Sequence, residues 1–113
     1  MKHTALFLLL LTLTTTVAAA PSNGKCLLEV NGETYLDGTC AIEISEGGDF
    51  TIGVSDTNPS KYFAYVTITG KNQAEASWNG KEAASHAQEP IAGTLSRKGA
   101  CWQNKNAKIC AWK

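Results

Sequence analysis

Few residues in this sequence have the types and spacing that chemistry requires. His86, in Ala83-Ala84-Ser85-His86-Ala87, stands next to the Ser85 hydroxyl, and an imidazole near a hydroxyl is the raw material of acyl transfer. Neighbouring side chains diverge from the backbone, and a serine hydrolase also needs a carboxylate to orient its base. The pair therefore reads first as part of a solvated loop and second as a place where a partner makes contact. Carboxylates are the other option, since Glu29, Glu33, Asp37 and Glu43 fall close together along the chain. A retaining glycosidase needs two carboxyl groups about 5 Å apart flanking a sugar groove. Strands as short as these leave little room for one, and the four acids read as the solvated face of a sheet. No phosphate-cradling glycine loop, histidine metal cluster or nucleotide fingerprint is present. We expect no enzymatic activity and no cofactor.

The four cysteines, Cys26, Cys40, Cys101 and Cys110, are the strongest chemical signal. An even number in a small exported chain reads as a disulfide framework. Zinc would call for Cys-x-x-Cys spacing and histidine ligands; neither spacing provides it, and His86 is the only histidine beyond His3 in the leader. Cys101 and Cys110 fall opposite each other if Lys105-Asn106 is a two-residue turn, which also sets Trp102 opposite Ile109. Cys26 and Cys40 then pair by elimination, with the other two connectivities left open.

Three tryptophans complete the set, and tryptophan is enriched both in cores and at binding hot spots. The hairpin register puts Trp102 in the core with Ile109 and Trp112 on the opposite face. Either Trp112 or Trp78, beside Asn79-Gly80, is available for an exposed position where it would stack a sugar or touch a protein.

The elements that must hold these residues are strands. Apolar and polar residues alternate through most of the chain, between turn pairs, and no segment has a long helical period. Cys26, Leu28 and Val30 lead to Asn31-Gly32, a hairpin dipeptide; Asp37-Gly38 reads as a second turn, which makes a three-strand meander ending in Cys40, Ile42 and Ile44. Phe50 to Val54 is a further strand, and the segment from Ser55 to Lys61, with Asn58-Pro59, is a loop. Tyr62 to Thr69 is dense in aromatic and β-branched residues, with two partly apolar faces, as a central strand would have. Ala74 to Trp78 is shorter and ends at Asn79-Gly80. The longest loop runs from Lys81 to Pro90, with one helical turn expected across Glu82 to Ala87. The fold expected is all-β: a small antiparallel sandwich or partly closed barrel of about seven to nine short strands, the range alternation suggests, with two disulfides.

The first residues have the layout of a cleaved secretory signal: Lys2, an apolar run from Ala5 to Leu13, and small residues at Ala18 to Ala20. The run is too short to cross a bilayer, which takes about 20 apolar residues. Cleavage after Ala19 leaves residues 20–113 as a single domain, without a membrane anchor, in the periplasm or secreted. Without Lys2 the chain carries nine basic and ten acidic residues, a balance that excludes a nucleic-acid partner. The charges are uneven, with an acidic front half and, after Glu89, five basic residues and no acid. Such a split is the mark of a bipolar surface or simply of solvated faces.

The tail Gly99-Ala100-Cys101-Trp102, Asn104 and Ala107-Lys108-Ile109-Cys110-Ala111-Trp112, together with Trp78-Asn79-Gly80 and Ala84-Ser85-His86, resembles small secreted or periplasmic bacterial proteins. That resemblance brings no activity with it. In layout the chain is also similar to periplasmic lysozyme inhibitors and to immunity proteins that neutralise wall-directed toxins. The inhibitors' binding-loop motifs are absent, so none of their functional residues carries over. The lack of an Asn-x-Ser/Thr acceptor agrees with a bacterial origin, Asn58-Pro59-Ser60 being disqualified by its proline.

The expected function is therefore a binding protein that inhibits or neutralises an envelope-acting enzyme, a lysozyme, amidase or toxin effector. Trp78, Asn79, Lys81, Glu82, Ser85 and His86 are the expected contact residues. The alternative is a carbohydrate- or peptidoglycan-binding module built on an exposed tryptophan.

Overall fold

The computed structural model describes residues 22–113, so the expected signal peptide, residues 1–19, lies outside the described residues. The alternating pattern becomes nine antiparallel strands: β1 (Ser22–Val30), β2 (Glu33–Ile44), β3 (Phe50–Ile52), β4 (Ala64–Gly70), β5 (Gln73–Trp78), β6 (Glu89–Pro90), β7 (Ser96–Lys98), β8 (Cys101–Gln103) and β9 (Ala107–Trp112). They form one sheet, in the order β6-β5-β4-β3-β2-β1-β9-β8-β7, curled into a half-barrel. That settles the choice between sandwich and barrel. The two ends of the sheet meet through the chain between β6 and β7: Ile91 N donates to Ala76 O, and Leu95 and Ala74 exchange backbone hydrogen bonds of 2.8 and 3.0 Å.

The inward residues form one core in which Leu28, Ile42, Ile52, Leu95 and Ile109 are fully buried. Burial of such a side chain contributes roughly 1.5–3 kcal/mol. Both disulfides form in the expected pairing, one on each side of the sheet. Cys26–Cys40 lies in the core, whereas Cys101–Cys110 joins directly opposed residues on the outer face. In the last hairpin Asn104 N donates to Ala107 O across Lys105-Asn106, and the Asn104 Oδ1 accepts from the Asn106 and Ala107 amides. Trp102 is consequently buried opposite Ile109, and Trp112 is exposed.

Several local expectations are corrected. Asp37-Gly38 is no turn, because β2 runs unbroken past it with Gly38 opposite Cys26. Both a tight turn and a coiled strand can use a glycine at positive φ, and here Gly38 (φ 142°) takes up the coiling of a long strand. The register also shifts so that Leu28 faces Leu36 and Glu29 faces Thr34, which leaves Tyr35 as an extra, re-aimed residue. The strand expected from Tyr62 begins at Ala64, and only one of its faces is buried: Ala64 and Val66 point inward, while Tyr65 is exposed. No helical turn occurs between Glu82 and Ala87; the segment is a series of turns and bends.

Candidate functional site

Strand alternation places four connections at one end of the half-barrel: the turns at 31–32 and 104–106 and the loops at 53–63 and 79–88. This upper end is closed by a cluster of three aromatic rings. Tyr35 packs on Trp78 with centroids 4.5 Å apart and on Tyr62 at 5.0 Å, and Tyr62 meets Trp78 at 6.0 Å. Trp78 is 8% exposed, so it is part of this plug and does not stack a ligand at the surface.

Asn79 is buried completely, and its amide fixes both loops. Its Oδ1 accepts from Phe63 N at 3.0 Å, while the two Nδ2 hydrogens are shared among the carbonyls of Lys61 (2.9 Å), Lys81 (3.0 Å) and Ala84 (3.3 Å). One side chain therefore joins the end of the first loop to the start of the second. The Ala83 amide adds a backbone bond to Lys61 O, and Ala83 itself is held at φ 60°, a conformation that costs a non-glycine residue about 1–2 kcal/mol. On the first loop Ser55 Oγ accepts from the amides of Thr57 and Asn58, making the turn that the sequence indicates. Gly53 (φ 82°) starts this loop, and a Cβ there would come 2.7 Å from Tyr62 O, so no larger residue lets the loop fold back this closely.

Between the loops lies a cleft of about 410 Å³. Phe63 and Tyr65 line it with their centroids 6.0 Å apart; Val54, Pro59 and Ser60 form one wall, and Ala83 to Ser85 the other. Pro59 to Lys61 also borders a second hollow of about 520 Å³ that Tyr35, Tyr62 and Asp37 line, so this stretch is a ridge with a depression on each side. Lys61 Nζ meets Glu82 Oε1 at 3.0 Å across the two loops. That hydrogen bond, reinforced by the carboxylate charge, holds the lysine above its ordinary pKa; both groups are largely exposed, so the pair aligns the loops more than it stabilises them.

Tyr35 Oη donates to Glu33 Oε2 at 2.8 Å, and this bond, then burial and the carboxylate's charge, raise the phenol above its ordinary pKa. The bond exists only while the phenol is protonated. It is intact below the ordinary phenol pKa and is lost as pH rises through the raised value. Alkaline titration followed by phenolate absorbance should show one late-ionising tyrosine, and Glu33→Gln should move it back toward the ordinary range.

Of the residues expected to touch a partner, Lys81, Glu82, Ser85 and His86 are exposed on the second loop, and Ser85 lines the cleft. Trp78 and Asn79 lie beneath them and act as supports. His86 makes no hydrogen bond or ion pair among the described residues. Sequence reasoning missed Phe63 and Tyr65 and the ridge that Pro59 to Lys61 form; the available signal for the two rings was the second apolar face of the Tyr62–Thr69 segment, which reads equally well as a buried face. Among the described residues no group of three or more His, Cys, Asp or Glu is placed to hold a metal, and no helix is long and apolar enough to cross a membrane. Protein-family models, curated proteins and solved structures offer no match to this chain.

Proposed function

We propose that this chain is a periplasmic or secreted binding protein that neutralises an envelope-acting enzyme, a lysozyme, amidase or toxin effector, by seating a segment of it between the 53–61 and 81–88 loops. The observation that carries this reading is the aromatic-floored cleft: Tyr65 is 43% exposed, and both walls are fixed from below by buried Asn79. Exposed aromatic rings rimmed by polar residues are the composition of interface anchors. Loops already held in one conformation also lose little entropy on binding. The two disulfides support the same picture, a stapled scaffold suited to an oxidising compartment.

Oxidised protein mixed with wall hydrolases, and used as bait in periplasmic extract, should form a stable complex and slow wall hydrolysis. Tyr65→Ala should weaken that complex by about 30-fold, the size of a hot-spot truncation, with thermal stability retained because the ring is already half in solvent. His86→Ala with Ser85→Ala should weaken it about tenfold, as loss of lesser contacts would. Recovery of no partner together with undiminished wall hydrolysis would sink the reading.

One observation favours the carbohydrate alternative. Trp112 is 40% exposed on the outside of β1 and β9, with Lys25 Nζ over one face of its ring at 5.5 Å from the centroid, which leaves the other face for a sugar. Glycan fragments that quench tryptophan emission in the intact protein, but not in Trp112→Ala, would shift the assignment to a wall-binding module.

A further inference from the structure

The opposite, lower end of the half-barrel differs from the upper one. Where Tyr35, Tyr62 and Trp78 plug the top, the lower connections carry Gly47, Gly48, Gly70 and Gly99, and a Cβ added at Gly47 or Gly99 would meet no atom within 4 Å. A hollow of about 330 Å³ opens there into the inside of the sheet, with Phe50, Ile68 and Trp102 at its base. Ile44, 42% exposed, forms part of its lip.

The rim holds Arg97, the only arginine in the sequence. Its Nε donates to Gly99 O at 3.2 Å, which holds the side chain on the rim, and among the described residues no carboxylate pairs with it. Asp49, on the adjacent turn, is engaged by the Ile68 amide at 2.7 Å. Asn72 adds a second polar group to the rim. Barrel mouths are common ligand sites, and about 330 Å³ is at the small end of the range.

We infer that this mouth binds a small amphipathic carboxylate, with a short acyl or aryl chain against Phe50 and Trp102 and its carboxylate on Arg97. A planar guanidinium with free N–H groups matches a carboxylate in shape and charge, and an apolar base selects the attached chain. The site lies at the other end of the fold from the proposed partner cleft and does not depend on it.

The probes are octanoate and its uncharged counterpart octanol, titrated into the oxidised protein and followed by backbone amide shifts and tryptophan emission. Octanoate should bind saturably and one-to-one, moving amides around 44–48 and 97–100, and octanol about tenfold more weakly, the size of one charge-assisted hydrogen bond in a half-exposed place. Arg97→Gln should bring octanoate down to the level of octanol. Ile44→Glu, at a lip position open to solvent, should abolish octanoate binding with the melting temperature retained. In both variants complex formation at the upper cleft should be unaffected, which separates failure of this site from failure of the other. Lack of saturation, equal binding of the two probes, shifts confined to 54–63 and 81–85, or association with anionic phospholipid vesicles without binding of free octanoate would each overturn the assignment.

Discussion

Asn79→Ala is expected to destabilise the fold by about 3 kcal/mol and to lower its melting temperature by roughly 15 °C. The side chain is buried completely and serves four backbone groups that belong to two loops. Alanine leaves the Phe63 amide and the Ala84 carbonyl without that partner, while the Lys61 and Lys81 carbonyls keep the amides of Ala83 and Ala84, and a buried group left unpaired costs about 1–3 kcal/mol. Water reaching the gap would satisfy some of them, which is why the expected total is well below the sum. Asn79→Asp is the sharper variant. It conserves shape, but it turns a donor into a charged oxygen facing three carbonyls, so at neutral pH it should be worse than alanine. Equilibrium unfolding in urea gives both values. If the Asn79→Asp variant proved as stable as the parent, the amide would not be the clamp described above.

The same substitution bears on binding, because the walls of the cleft are the loops that Asn79 joins. Loosening them should raise amide hydrogen exchange in 53–63 and 81–88 and leave β1, β8 and β9 protected. Complex formation should weaken even at temperatures where the protein is fully folded, since the free loops must then be ordered on binding. A purely structural asparagine, with no cleft to organise, would alter stability and exchange but not affinity.

How much of this was legible from sequence depends on how local the determining contacts are. The β8–β9 hairpin was readable to the residue: its register follows from a two-residue turn, and the Asn104 Oδ1 that fixes the turn accepts from amides only two and three residues away. The disulfide pairing of Cys101 and Cys110 followed from that register. Asp37-Gly38 misled because the dipeptide reports only a tolerance for positive φ, and a coiled strand in a half-barrel uses the same tolerance. Asn79-Gly80 misled for another reason. The partners of Asn79 on the first loop are 16 and 18 residues away, so nothing in the local pattern separated a turn asparagine from a buried clamp. Tyr62 to Thr69 showed two apolar faces, and alternation cannot say whether the second is covered by another layer or left open as the floor of a cleft. The site therefore came from loop packing, and only its outer residues, Ser85 among them, were visible beforehand.

Removal of the inner disulfide is the other large expected effect. Cys26 and Cys40 are 0% and 5% exposed and lie two positions out of direct register, since Cys26 faces Gly38 and Gly24 faces Cys40. The bond therefore ties β1 to β2 away from their own turn, across a stretch where β2 is bulged and coiled. Closing a loop of this span restricts the unfolded chain by about 3 kcal/mol, a figure that belongs to the loop-entropy account. Replacing both sulfurs by alanine also leaves a void among Leu28, Ile42 and their neighbours, with its own cost of about 1 kcal/mol. The combined loss, about 4 kcal/mol, is a large share of the roughly 5–15 kcal/mol that a folded domain possesses. Cys101 and Cys110 close a shorter loop, and their hairpin is already set by Asn104 and by pairing with β1 through β9. Their double alanine variant should therefore lose less, about 2 kcal/mol. The ranking can be read from urea midpoints of the two variants, with the melting temperature of fully reduced parent protein below both. A reversed order, or reduced protein as stable as oxidised, would mean that noncovalent pairing alone holds β1 and β2 in place, and the sheet would then owe nothing to its inner disulfide.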